Sequence, residues 1–209
     1  SRNGADGSEE AEPDCVVEAV TLGLERLCLS SYPPQDSPEM QMHRASVPSL
    51  SGLPLVSLYH SPGLENLLCA LLMLTRQELH LTCYCFDSEQ GASVIGQLMR
   101  RGVRVKLLLD KNQMGNPSCA KQRLRIVELF GMADASLLLI RMYSPRGAFS
   151  ALHAKTWCLD NTLYIGGSFN FTQNANANNE EHLVMLRDPD TVASNARWFY
   201  DLWAKSEEV

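Results

Sequence analysis

From Leu53 onward the chain alternates short apolar runs with helical stripes. Leu55–Tyr59 reads as a brief β-like run. Ser61–Pro62 then has the form of an N-cap followed by proline at the first helical position, ahead of Leu64, Leu67, Leu68, Leu71 and Leu72 at helical spacing up to Thr75. Glu78–Phe86 reads as a strand. Val94, Ile95, Leu98 and Met99 mark a helix closed by Gly102, and Val103–Leu109 is a buried strand running into Asp110. A Gly-Asn-Pro loop leads to a basic helix from Ser118 to about Phe130, followed by a strand over Leu137–Met142. In the last third, Leu152–Leu159 and Leu163–Ile165 flank Asp160–Asn161, a two-residue hairpin turn signal. The Asn-rich stretch Asn170–Asn179 reads as a polar loop and Glu181–Leu186 as a strand. Asp188–Pro189 opens a terminal helix whose inner face carries Val192, Ala196, Phe199, Leu202 and Trp203. Strands alternating with helices predict an α/β sandwich, a central mixed sheet flanked by helices.

Upstream of this region the pattern changes. Residues 1–14 are small, polar and acidic, as expected of a disordered tail. Residues 15–29 place Val16, Val17, Val20, Leu24 and Leu27 on one helical face, and residues 30–52 form a Pro/Ser-rich linker. The compact domain is expected over 53–207. No internal repeat is visible.

Composition narrows the class. With 209 residues, 45 % hydrophobic and 20 % charged, the chain is neither wholly disordered nor collagen-like, coiled-coil or a disulfide scaffold. Its longest apolar run, Leu67–Leu74, is eight residues, far below the ~20 that a membrane span requires. The chain opens on Ser1 rather than Met, as expected of a fragment whose targeting or anchoring segment lies outside it. The net charge is −6, of which the first 14 residues supply −4; Ile95–Val127, by contrast, carries +7. That segment reads either as two solvated helix faces around a buried strand or as a phosphate-tracking rim. Seven cysteines without CxxC spacing suit a reduced, intracellular compartment.

The stretch Leu152–His182 carries the chemistry. His153 and Lys155, two apart on an expected strand, leave the same face into an open cleft. An imidazole beside an ammonium suits a phosphate: lysine neutralises non-bridging oxygens while histidine attacks phosphorus or protonates a leaving oxygen. Ser168 and Asn170 repeat the i, i+2 arrangement and can donate to the same oxygens, and Glu181 could accept from the far ring nitrogen of His153. Together with Asp160 and Gly167, His153, Lys155, Ser168 and Asn170 recur by chance on the order of once in 10^5 to 10^6 chains of this length. The other histidines, His43, His60, His80 and His182, read as surface or satisfied core residues. Cys83 and Cys85 share a strand face without a matching pair nearby, which favours packing over a metal site.

The run HxKx4Dx6GSxN is the signature of the phospholipase D superfamily, and the chain matches it at every fixed position. The continuation Asn178, Asn179 and Glu181 resembles the single-motif branch, which includes bacterial endonucleases and the mitochondrial cardiolipin hydrolase (Zucchini) proteins. The resemblance implies a phospholipase D-like fold with one motif per chain and a metal-independent phosphodiesterase without cofactor. It implies His153 as nucleophile, Lys155 as phosphate clamp, Ser168 and Asn170 completing the phosphate pocket, and Glu181 orienting the histidine. Asp160, by its place in a hairpin turn, is expected to be structural. Because the family mechanism uses two histidines, one forming a phosphohistidine, a single motif implies a homodimer with the site on its two-fold axis. The partner is then an anionic phosphodiester, single-stranded nucleic acid or a phospholipid such as cardiolipin. A mitochondrial outer-membrane location follows only where an N-terminal anchor has been removed. Unlike Zucchini proteins, the chain passes from Tyr59 straight to Ser61–Pro62 with no Cys/His zinc insertion. The alternative is a catalytically inactive phospholipase D-like scaffold or binding module.

Overall fold

The computed structural model describes residues 52–132, 134–147 and 150–209. The expected tail, helix and linker of the N-terminal region lie outside the described residues, apart from Gly52. Among the described residues eight strands form one mixed sheet in the order β1-β7-β6-β5-β2-β3-β4-β8. The strands are β1 (Val56–His60), β2 (Glu78–Cys83), β3 (Arg104–Asp110), β4 (Leu138–Tyr143), β5 (Thr156–Leu159), β6 (Leu163–Gly167), β7 (His182–Leu186) and β8 (Glu207–Glu208). β2, β3 and β4 run parallel, and every other pairing is antiparallel. The helices are α1 (Leu64–Leu72), α2 (Glu89–Arg100), α3 (Lys111–Gly115), α4 (Ala120–Met132), α5 (Gln173–Asn178) and α6 (Pro189–Ala204).

Strand periodicity sorts the core into two layers. Leu79, Leu81 and Cys83 of β2, Val105, Leu107 and Leu109 of β3 and Trp157 and Leu159 of β5 join α1 and α2 in the main apolar cluster. The alternate residue Leu108 meets Leu152 and Phe199 in a smaller cluster under α6. Two of the long helices, α2 and α6, start where the chain offers a cap: Ser88 Oγ accepts from Gly91 N, and Asp188 Oδ2 accepts from Thr191 N, with Pro189 in the first turn. Gly102, at φ 79°, turns the chain out of α2 into β3.

Four elements depart from the sequence pattern. Helix α1 begins at Leu64 behind Gly63, and Ser61 caps nothing there. β2 ends at Cys83, so Tyr84 and Cys85 leave the sheet instead of extending it, and Phe86 keeps only an isolated bridge to Phe171. The Asn-rich stretch folds into α5, capped by Thr172 Oγ1 on Ala175 N, because its alanines and amides suit one helical turn once that cap is made. α3 occupies the supposed loop after Asp110.

The end of the sheet away from the strand termini of the site is tied by polar side chains. The expected two-residue turn has three residues, Asp160–Thr162, between β5 and β6, and Asp160 and Asn161 take φ 51° and 52° in it. The Asp160 carboxylate accepts from the backbone N–H groups of Arg76, Gln77 and Glu78 at 2.8, 2.8 and 2.9 Å. Beside it, buried His80 stacks on Phe199 and lies 2.6 Å from Glu78 Oε1, while Lys106 Nζ reaches Glu78 and donates to Tyr200 Oη at 2.8 Å. This cluster fastens α6 to β2 and β3. Replacing Asp160 by alanine orphans three amides and removes the short polar side chain that eases the left-handed conformation, at a cost of roughly 3 kcal/mol. Asp160→Asn retains an acceptor and a tolerated turn residue, so urea denaturation of the two variants is expected to show less than half that loss for asparagine. Equal losses would deny the three-amide anchor.

Candidate active site

The C-terminal ends of β2, β3 and β6 and the N-terminal ends of β5 and β7 meet along one margin of the sheet. His153 and Lys155 precede β5, three residues and one residue ahead of Thr156, so neither lies on the expected strand. Their side chains meet all the same. Lys155 Nζ donates to His153 O at 2.6 Å and lies 2.9 Å from Nδ1 and 3.2 Å from Nε2 of the ring. The histidine is exposed, whereas the lysine is only 5 % exposed, so just one of the two occupies the open cleft.

That geometry sets the protonation. Partial burial and the adjacent Lys155 ammonium hold His153 below the ordinary imidazole value, with buried Asp110 opposing them. Burial likewise lowers the Lys155 ammonium, offset by Cys85, Glu181 and Cys83 around it. The pair is thus a neutral imidazole next to a confined cation, a combination that attracts an anion and leaves a ring lone pair for reaction.

Ser168, Asn170 and Glu181 flank the pair. Ser168 Oγ donates to Glu181 Oε2 and accepts from His182 N at 3.1 Å, so the serine joins β6 to the start of β7. Gly167 permits that joint, since a Cβ there would stand 2.2 Å from His182 O. Glu181 receives a second bond from Asn179 Nδ2 at 2.9 Å. Its carboxylate is therefore taken by Ser168 and Asn179, not by the His153 ring, because Ser168 stands on the neighbouring strand end within direct reach. Glu181 influences Lys155 through its charge. Asn170 Oδ1 is enclosed and accepts nothing among the described residues.

Three positioning groups carried no local signal. Asp110, fully buried, accepts from Gln113 N at 2.9 Å and from Leu152 N at 2.6 Å, and so fixes the residue ahead of His153. The Tyr84 ring lies 4.5 Å from the His153 ring and 5.2 Å from Lys155 Nζ, while its hydroxyl accepts from Gln113 Nε2 at 2.7 Å. Ser61 Oγ accepts from Glu181 N at 2.9 Å, steadying the segment that leads into β7. Only a serine and an aspartate at strand or helix boundaries hint at these roles in the sequence.

The basic segment resolves into structural contacts for most of its charges. Arg101 is buried and donates to Met73 O and Thr75 O, Arg123 to Met114 O and Asn116 O, and Arg125 pairs with Glu89 and Glu128. Lys111 pairs with Glu207. Lys121 remains exposed at the start of α4. Cys83 is buried and its thiol pushed up to about 12 by burial, while Cys85 lines a cleft beside the pair. Among the described residues no group of three His, Cys, Asp or Glu side chains is placed to hold a metal ion. His60 and His182 are exposed, and His43 lies outside the described residues.

Comparison with known proteins finds relatives in sequence and in fold. The family described as "Cardiolipin synthase, PLD-like domain" matches residues 68–203. The mitochondrial cardiolipin hydrolase of Mus musculus is 28 % identical over 156 residues, covering 75 % of this chain and 65 % of that protein. The protein of the same name from Chlamydomonas reinhardtii is 26 % identical, with 59 % of its length covered. The chain thus spans less than two thirds of these relatives. A phospholipase D of Rickettsia typhi is 25 % identical over 164 residues, 78 % of this chain and 74 % of that one. Among solved structures, Nuc from Salmonella typhimurium, a phospholipase D family member, superposes with a TM-score of 0.62 at 24 % identity, covering 74 % of this chain and 97 % of that one. NucT from Helicobacter pylori gives 0.65 at 18 %, covering 74 % and 98 %.

The electrostatic reading is open to titration. Following the His153 ring protons by NMR is expected to give a midpoint below 6.5, and Lys155→Met is expected to move it upward by removing the neighbouring cation. A midpoint unchanged by that substitution would refute the coupling.

Proposed function

The chain belongs to the cardiolipin synthase-type PLD-like domain family, and from that premise we propose that it is a metal-independent phosphodiesterase acting as a homodimer. The domain assigned to this activity is 53–207. Its substrate is a phosphodiester of single-stranded nucleic acid or of a phospholipid such as cardiolipin. The observation that carries the reading is the ammonium of Lys155, almost wholly buried, held within 3.2 Å of both ring nitrogens of an exposed His153.

In this mechanism the scissile phosphate settles against Lys155, with donors from Ser168 and Asn170, and the neutral His153 ring attacks phosphorus. A phosphorus–nitrogen bond forms as the phosphorus–oxygen bond to the leaving group breaks. The same histidine of a second copy, protonated, gives its proton to the departing oxygen, then takes one from water as that water displaces the histidine from phosphorus. Developing negative charge is met by the lysines of both copies, which repel one another until an anion separates them. Glu181 acts at one remove by orienting Ser168 and raising the potential of Lys155 to stay charged. The reading calls for no metal or cofactor.

The test is cleavage of labelled single-stranded RNA and DNA, and of cardiolipin vesicles, in excess EDTA. Wild type is expected to turn over at least one of them, with His153→Ala slower by on the order of 10^4-fold or more and Glu181→Ala retaining weak activity. In dimers reassembled from wild type and His153→Ala, activity is expected to fall as the square of the wild-type fraction. A linear fall would deny a shared site, strict dependence on a divalent ion would remove the two-histidine scheme, and binding without turnover would leave the scaffold.

A further inference from the structure

Beside the His153–Lys155 pair the structure holds a cleft of about 260 Å³, with Cys85, Phe86, Ser118, Lys121, Asn170 and Asn174 among its lining. We propose that this cleft is a subsite for one nucleotide of a single-stranded nucleic acid, with Lys121 meeting the phosphate next to the scissile one. The proposal rests on the phosphodiesterase reading and deepens it by naming a substrate class.

Three observations carry it. First, the cleft adjoins the reacting phosphate. It shares Asn170 with the motif, and Cys85 follows Tyr84, whose ring lies 4.5 Å from the His153 ring. Second, its lining fits a nucleotide. The half-buried Cys85 and Cys119 thiols offer a weakly polar floor, whereas Ser118, Asn170 and Asn174 offer hydroxyl and amide groups for a base edge or sugar, and Asn170 Oδ1 meets no donor among the described residues. Third, Lys121 is the cation available there. Its basic neighbours on the same segment, Arg123 and Arg125, are held by backbone carbonyls and carboxylates, while Lys121 is engaged by neither among the described residues. Asp87 lines the cleft as well, its Oδ1 accepting from Gln173 N at 2.9 Å, and an exposed ammonium with no carboxylate in ion-pair contact among the described residues suits a second phosphate at a fixed distance from the first.

The lipid alternative fits less well. A site working at a bilayer presents apolar side chains around its mouth. The large apolar residues that are exposed among the described residues lie on β1 (Val56, Leu58) and beside it (Leu55), on α4, β4 and α6, and at Val209. None of these lines the cleft.

Steady-state kinetics on the full chain tests the assignment. Thymidylyl dinucleotides with one internal phosphodiester are compared with the same dinucleotides bearing an added 5′ or 3′ phosphate, in deoxyribose and ribose forms. Bis(p-nitrophenyl) phosphate reports whether the chemistry itself operates. For wild type, one of the added phosphates is expected to lower KM by about fivefold to tenfold with kcat little changed. That advantage is expected to vanish in Lys121→Met and to persist in Lys121→Arg. On a longer strand, Lys121→Met is expected to reduce the salt slope of log kcat/KM by about 0.7. An equal phosphate advantage in Lys121→Met would overturn the role of Lys121. Hydrolysis of bis(p-nitrophenyl) phosphate and cardiolipin vesicles with dinucleotides untouched would overturn the nucleotide subsite and give the cleft to a lipid headgroup. Failure on every substrate would instead bring down the phosphodiesterase reading, and the subsite with it.

Discussion

The register between β2 and β5 is the constraint on which the rest of the molecule depends. Four pairs, from Leu79 opposite Leu159 to Thr82 opposite Thr156, join the parallel half of the sheet to its antiparallel half. A slip of one residue would send Trp157 out of the main core and carry Lys155 and His153 to the opposite face. Both ends of the seam are pinned by buried or half-buried carboxylates. At one end Asp160 gathers three amides of the approach to β2; at the other Asp110, at the end of β3, takes Leu152 N. Site geometry is therefore inherited from strand pairing, and side-chain contacts only refine it.

Burying a lysine beside a histidine is costly unless the ammonium is solvated by the protein. Here His153 O, the ring nitrogens and the face of Tyr84 replace much of its water, with Glu181 adding charge from the side. What they leave incomplete is a full negative charge in direct contact, since the Glu181 carboxylate is occupied by Ser168 and Asn179. On the proposed reading a phosphate supplies it. The same incompleteness that makes the empty pair uncomfortable makes it selective for anions, and it keeps the imidazole neutral without any special donor.

Much of this was legible in the sequence because it is local. Apolar alternation locates most strands, Asp160–Asn161 marks the hairpin, and the spacing of His153 and Lys155 aligns their side chains whether or not the segment counts as a strand. What escaped notice depends on partners far along the chain. Ser61 looks like a helix cap until Glu181, 120 residues away, claims its hydroxyl. Glu181 seems free to orient His153 until Ser168 intervenes. Tyr84 belongs to an apparent strand, and only the early end of β2 at Cys83 turns its ring onto the histidine. The +7 segment illustrates the converse: its charge is real, yet backbone carbonyls and carboxylates claim most of it.

The pairing of β1 with β7 closes the sheet across most of the domain, joining Val56 to Leu186. Contacts so distant in sequence form late, after the intervening loops have been drawn together. During synthesis a chain emerging from the ribosome would hold His153 and Lys155 well before it holds β7, which steadies Ser168 and brings Glu181 to the margin. The histidine and lysine are thus made early, but the margin that surrounds them is assembled only when nearly the whole domain has left the tunnel, a delay built into connectivity alone.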